Sequence, residues 1–362
     1  MDAPRTPELH PVVRARWLIL ALFVALCAWA IPGISQLQHD DDVLAFLPPE
    51  HPDVLTFHEV ADRYGMLSVG LVGLRADGED LLVPERTEEV RDLATAVASL
   101  PGVRLVLSHP DLPDARVEGD VLVVEPLVPK GTTDAEDIRR RVMANPNAVG
   151  NLISEDGKAA ALLVYFLDSS DVSDRADQLA AIEDTVAEKW SGEAYFGGAP
   201  FIEDTAASSS REDIERLSPI VIAVLAIASA ILLGSLTGAG LNLLVTGLGV
   251  GLVVGLHGRF GEPFTIVSST TPVMMVALGG AFGMHIISGY QRHEGTPAQR
   301  ASETLRELTI PVVLSGVTTA TAFFALVVMP QIPMQRFGVV AGLGVLLLLA
   351  LALVVLPALL SV

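Results

Sequence analysis

The sequence is poor in the residues that most chemistry requires. It holds one cysteine, Cys27, inside an apolar run, so it has neither an intrachain disulfide framework nor a thiolate metal site. No Gly-x-x-x-x-Gly-Lys-Ser/Thr loop occurs, which removes the phosphate cradle of an ATP-driven pump. Basic residues are few: 23 Lys and Arg stand against 43 Asp and Glu, for a net charge of −20. Phosphate neutralisation needs a basic face, so nucleic acid is not an expected partner. Ser/His/Asp groupings, paired-carboxylate motifs and metal-ligand spacings are also missing, and neither enzymatic activity nor a cofactor or metal is expected.

What is present is apolar. Half of the residues are hydrophobic (51%) and the mean hydropathy is +0.50, too greasy for an ordinary soluble domain. Six runs of spanning length contain no Asp, Glu, Lys or Arg: residues 17–36, 219–236, 241–256, 265–290, 310–329 and 337–360. The first rivals a signal peptide, with Arg5, Arg14 and Arg16 before it. It is long for that role, and Ile31-Pro32-Gly33-Ile34 offers no small-x-small cleavage site, so an uncleaved anchor is expected.

The acidity is local. Of the 43 carboxylates, 37 fall between Leu37 and Glu215, which marks residues 37–215 as a solvated domain. With residues 1–16 inside the cell, the connector 291–308 also falls inside and carries Arg292, Arg300 and Arg306. The short external links hold only Arg259 and Arg336, so basic residues gather on the cytoplasmic side. The acidic domain is then extracytoplasmic, which in a bacterium means the periplasm.

Within that domain β-prone and helical stretches alternate. Residues 66–74 read as strand, 86–100 as helix and 103–107 as strand; then come strand 121–125, helix 134–143 and strand 159–167. A helix at 174–190 and a short strand at 194–197 complete the domain, and Pro101-Gly102, Pro146 and Gly197-Gly198-Ala199-Pro200 punctuate the joins. The expected fold is therefore a membrane α-helical bundle of six transmembrane helices with an α/β extracytoplasmic domain of two β-α-β subdomains. Residues 205–217 are polar and helix-compatible, and are expected to extend the second span as a stalk.

Several features invite chemical readings that do not hold. Asp40-Asp41-Asp42 clusters oxygen ligands but lacks the spacing of an EF-hand loop, and reads as a solvated cap. His51 and His58 have no third ligand for zinc. Gly249-Val250-Gly251 mimics a nucleotide loop without the strand or acid that would support it. Gly247, Gly251 and Gly255 instead form a smooth stripe at i+4 spacing, suited to close helix packing.

One span, a large external loop and five spans together resemble half of a resistance–nodulation–division (RND) transporter. Asp41-Asp42-Val43-Leu44-Ala45-Phe46-Leu47-Pro48 resembles the acidic segment after the first span of the lipid- and hydrophobe-exporting, MMPL-type branch. Gly102-Val103-Arg104-Leu105-Val106 is similar to a strand of its porter subdomain, and Gly197-Gly198-Ala199-Pro200 to the turn before its stalk. Met284-His285-Ile286-Ile287-Ser288-Gly289-Tyr290 resembles the end of the fourth span, and Pro311 to Ala320 with Arg336-Phe337-Gly338 the fifth and the start of the sixth. Leu356-Pro357-Ala358-Leu359-Leu360 is similar to the close of the sixth. A SecD/SecF-like export protein shares the topology, but the Phe-Leu-Pro and Gly-Gly-x-Pro segments fit the lipid-exporting branch better.

The resemblance implies a porter-like external domain and transport of a hydrophobic, lipid-like substrate, driven by proton-motive force. It also implies an acid, often Asp-Tyr, just before the "IH" of the fourth span. Here Ala281 and Phe282 stand in that place, and no predicted span holds a carboxylate. Three readings stay open. A second half supplies the acid, or His285 acts instead, or this half does not couple to protons. His285 lies one turn from Ala281 on the same face, Ser288 shares that face, and Thr318, Thr319 and Thr321 offer hydroxyls from the next span. The plainer reading has His285 bonded to a backbone carbonyl near the interface and the hydroxyls bonded to their own helix. His257, beside Arg259 and Glu262, reads as an interfacial residue. No second copy of the plan occurs, so pairing with a second RND half is expected, whether a homodimer, a partner chain or a C-terminal half beyond Val362. A non-transporting sensor or accessory subunit is the alternative, and membrane lipid is a partner under either reading.

Overall fold

A computed structural model describes residues 9–38, 43–64, 69–76, 78–118, 121–167 and 172–362. Asp40-Asp41-Asp42, and the start of the strand predicted from Met66, lie outside these residues. The chain divides into two units: residues 1–51 with 206–362, and residues 52–205.

In the first unit each apolar run becomes a helix long enough to cross a membrane. The six are Arg16–Gln36, Glu215–Leu233, Leu236–Arg259, Ser268–Arg292, Pro297–Val328 and Ile332–Leu360. With no water to satisfy backbone polar groups, intrahelical hydrogen bonding is the economical solution for such runs. The polar stretch 205–217 is helical too, as part of helix Ala199–Leu233. The fifth span starts thirteen residues before the predicted Ile310, so most of the connector expected at 291–308 is helix. A capping box is the cause: Thr296 Oγ1 accepts from Gln299 N–H while the Gln299 side chain accepts from Thr296 N–H, and Pro297 takes the first turn.

Contacts among the span ends alternate as a threaded chain requires. His10 N–H donates to Ser302 Oγ at 3.1 Å, and Val13 packs on Ala301 and Leu305 of the fifth span. Arg16 Nη1 donates to the Ser361 carbonyl at 2.7 Å. The chain start, the fourth connector and the end of the sixth span thus meet at one end of the bundle. At the other, Phe264 N–H donates to the Gln38 carbonyl at 2.7 Å.

The first and third spans touch backbone to backbone. A Cβ on Gly255 would collide with the Ala30 carbonyl, one on Gly258 with the Gly33 carbonyl, and one on Gly33 with the Gly255 carbonyl. The chain there is a 3₁₀ turn, Ile31–Gln36, begun by Pro32. Within the predicted stripe, Gly251 meets Ile31 at an ordinary 3.6 Å and Gly247 has nothing within 4 Å. The seam therefore lies at Gly255 and extends to Gly258.

The sixth span contains one π turn, Leu351–Val355, closed by Leu356 N–H on the Leu351 carbonyl. Pro357 follows directly. In a regular α-helix its ring would press on the carbonyl of Leu353 and leave that oxygen without a donor; widening the preceding turn makes room.

The second unit holds strands β1 (Val69–Arg75), β2 (Val103–Leu107), β3 (Pro113–Glu118), β4 (Val121–Pro126), β5 (Ala159–Phe166) and β6 (Glu193–Gly197). Its helices are α1 (Pro52–Tyr64), α2 (Pro84–Ala98), α3 (Ala135–Ala144) and α4 (Val172–Lys189). Four strands form one sheet in the order β2-β5-β1-β6, with every neighbouring pair antiparallel. This corrects the expectation of two β-α-β subdomains. The units β1-α2-β2 and β5-α4-β6 both exist, but each is split by a strand of the other, which is the ferredoxin-like arrangement. The hairpin β3-β4 and helix α3 are inserted between the halves. Val72, Leu74, Leu162 and Val164 bury one face of the sheet against Val90 and Leu93 of α2 and Ile182 of α4. Burying two β-α-β halves on a shared sheet gives one core, where two separate pairs of strands would leave edges open.

Candidate functional site

Three features of the bundle carry polar or ligand-accommodating character. The first is a buried amide. Asn242, on the third span, is 1% exposed, and its Nδ2 donates to Ser229 Oγ and to the Gly280 carbonyl, each at 3.1 Å. A carbonyl only accepts, so the contact with Gly280 fixes which way the amide points. Its Oδ1 has no partner among the described residues and lies against Gly283, where any Cβ would displace it. One side chain thus ties the second, third and fourth spans together. Sequence reasoning passed over it, although Asn242 is the one amide in the run 241–256. Asn242→Ala is expected to cost about 1 kcal/mol of bundle stability, the scale of an interhelical hydrogen bond in a membrane. Asn242→Leu should cost more, because a branched chain has to fit beside Gly283. Steric-trap unfolding in bicelles would rank the two.

The second feature is the face with the coupling candidates. Ala281 is half-buried, whereas Phe282 turns into the core at 5% exposed. His285 is exposed on the bundle surface, one turn on from Ala281, and makes no hydrogen bond to a described residue. Ser288 is half-buried beside it. Thr318 Oγ1 donates to the Leu314 and Ser315 carbonyls, Thr319 to Ser315 and Thr321 to Val317, all at 2.8–2.9 Å. These hydroxyls are spent on their own helix and do not reach His285. His257 is buried, with Nε2 3.2 Å from the Pro263 carbonyl and its ring edge-on to Phe264.

The third feature is a groove of about 790 Å³ between the third and sixth spans. Val253 and Leu256 form one wall, with Val340, Leu343 and Leu347 opposite. Glu262, Gln335 and Arg336 stand at one end, where Arg336 Nε is 4.0 Å from Glu262 Oε2. Nothing in the run pattern announced the groove, because it depends on which faces two distant spans leave apart.

Outside the bundle, the second unit buries an imidazole. His109 follows β2, is fully buried, and neither ring nitrogen has a partner among the described residues. Burial, aided by the charge of Arg91, pushes its pKa down to about 3. Arg91 itself is held by Asp111 at 2.5 Å, the Val128 carbonyl at 2.7 Å and Glu88 at 3.3 Å. No cluster of three or more His, Cys, Asp or Glu able to hold a metal occurs among the described residues.

Six spans and a bundle core define a multi-pass membrane protein. Residues 79–362 match the model of the MMPL family, and the chain belongs to that family. It is 23% identical over 362 residues to a membrane protein of Methanocaldococcus jannaschii, covering 96% of this chain and 90% of that protein. A Streptomyces coelicolor membrane protein is 24% identical over 295 residues, 74% of this chain and 41% of its own length.

Proposed function

We propose that this chain is one half of an RND-type transporter. It moves lipid-like or hydrophobic compounds across or out of the inner membrane, and proton flow through a second half drives it. Residues 37–215 then form the periplasmic domain.

The groove between the third and sixth spans carries this reading. Its walls are aliphatic, one end is polar, and its size suits an amphiphile. The second half is supported by the outward surface of the fourth and fifth spans, a face on which His285 and Ser315 are exposed. A polar side chain turned toward hydrocarbon is unfavourable, and a second half laid on that face would cover it. No carboxylate lies within the predicted spans, so the acid comes from the fourth span of that second half.

The test is reconstitution in vesicles with a second half whose fourth span contains a carboxylate. Transport of a fluorescent amphiphile should follow an imposed pH gradient and stop when the gradient is collapsed. Transport that persisted without the gradient would remove the proton-driven part. The missing carboxylate also favours a second reading, a sensor or accessory subunit with a degenerate RND fold, for which no transport would be seen with any second half.

A further inference from the structure

The groove has a length and a charge pattern as well as a volume. Its sixth-span wall runs from Arg336 to Leu347, eleven helical steps, which at helical rise is about 16 Å. That is close to half of the roughly 30 Å hydrocarbon core of a bilayer. The polar end therefore sits at one membrane surface while the aliphatic walls reach the midplane. This is the depth of one leaflet, within the reach of an acyl chain.

The polar end is not merely polar. Arg336 and Glu262 face each other at 4.0 Å, too far for a hydrogen bond, and both are about half exposed. Neither side chain makes a hydrogen bond to another described residue. The neighbouring polar groups are already occupied. Gln335 Nε2 donates to the Met329 carbonyl at 2.8 Å, and His257 Nε2 lies against the Pro263 carbonyl. The mouth thus offers one guanidinium and one carboxylate side by side. A guanidinium suits phosphate, and a carboxylate suits an ammonium that still carries N–H donors.

We infer that the groove binds a zwitterionic phospholipid-type amphiphile, with its phosphate on Arg336, its primary ammonium on Glu262 and one chain between the third and sixth spans. A purely anionic head meets Glu262 unfavourably, and a purely cationic head meets Arg336 in the same way. This builds on the transport reading only in treating the occupant as cargo.

The experiment uses the full chain in nanodiscs of equal phosphatidylethanolamine and phosphatidylglycerol, followed by native mass spectrometry after the lipid shell is stripped. Wild-type protein should retain phosphatidylethanolamine about five-fold over phosphatidylglycerol, the scale expected for the one partly exposed ionic contact, ammonium on Glu262, that phosphatidylglycerol lacks. Glu262→Gln should erase that preference by admitting phosphatidylglycerol, and Arg336→Gln should reduce retention of both. Val340→Trp, which fills the groove and leaves the charges, should abolish retention of either lipid. Equal retention of the two lipids by the wild type, a measurement that needs no variant, overturns the inference. So does full retention by Val340→Trp. Head-group preference in a chain that transports nothing would keep this inference and remove the transport reading; transport without preference would do the reverse.

Discussion

Gly258→Val is expected to part the first span from the third and to lower the stability of the membrane unit by about 3 kcal/mol or more, the upper range for overpacking. The contact leaves no alternative. A Cβ at residue 258 meets the Gly33 carbonyl, which is backbone and cannot rotate away. Gly255→Val strikes the Ala30 carbonyl and should behave alike. Gly247→Val is the control from the same glycine stripe. Nothing lies within 4 Å of its would-be Cβ, and replacing glycine in a helix interior is neutral to mildly favourable. Thermal unfolding in detergent should separate 258 and 255 from 247. Equal effects at all three positions would show that the seam is not where the close contacts place it.

Acid is expected to loosen the second unit through His109. Its folded-state pKa of about 3 lies below the ordinary imidazole value of 6.5 that describes the unfolded chain. Between those values the unfolded chain binds a proton that the folded chain refuses. Stability is therefore whole above pH 6.5 and declines as pH falls toward 3. Over that window the loss integrates to about 4 kcal/mol, in order of magnitude. His109→Leu has nothing to protonate and should flatten the curve. Asp137 and Asp156, whose pKa values are lowered by Arg141 and by Ser154 respectively, add losses of the same sign at lower pH that the variant retains. Hydrogen exchange of the β1 and β5 amides in the full chain, followed from pH 7 to pH 4, provides the comparison. Identical slopes for wild type and variant would show that the imidazole accepts its proton without cost.

The six spans were legible because a hydrocarbon solvent is strict: an Asp, Glu, Lys or Arg would have broken the runs, and none occurs in them. The early start of the fifth span was not legible. Its first turns carry Arg300, Glu303, Arg306 and Glu307, a charged surface that hides the helix, and only the Thr296–Gln299 pair marks the beginning. In the second unit, individual strands followed from local alternation, whereas their pairing did not. Val72 faces Leu162 across ninety residues, and no local pattern encodes that choice. Strand β3 was missed because it opens at Pro113 and carries Asp114, Arg116 and Glu118, which read as loop. Of the site, Asn242 was visible as a lone amide among aliphatic residues. The groove was not, since it is a property of two helices and the space between them.

The π turn at Leu351–Val355 divides the last span into two rods of unequal length. The longer rod bears Arg336, Val340 and Leu347. The shorter ends at Ser361, whose carbonyl is moored to Arg16 at the opposite membrane surface. A widened turn has fewer regular hydrogen bonds to resist bending than the helix on either side of it. If the groove takes a chain as proposed, the π turn is where the long rod would tilt, with the mooring at Ser361 and the close-packed first and third spans as the fixed post.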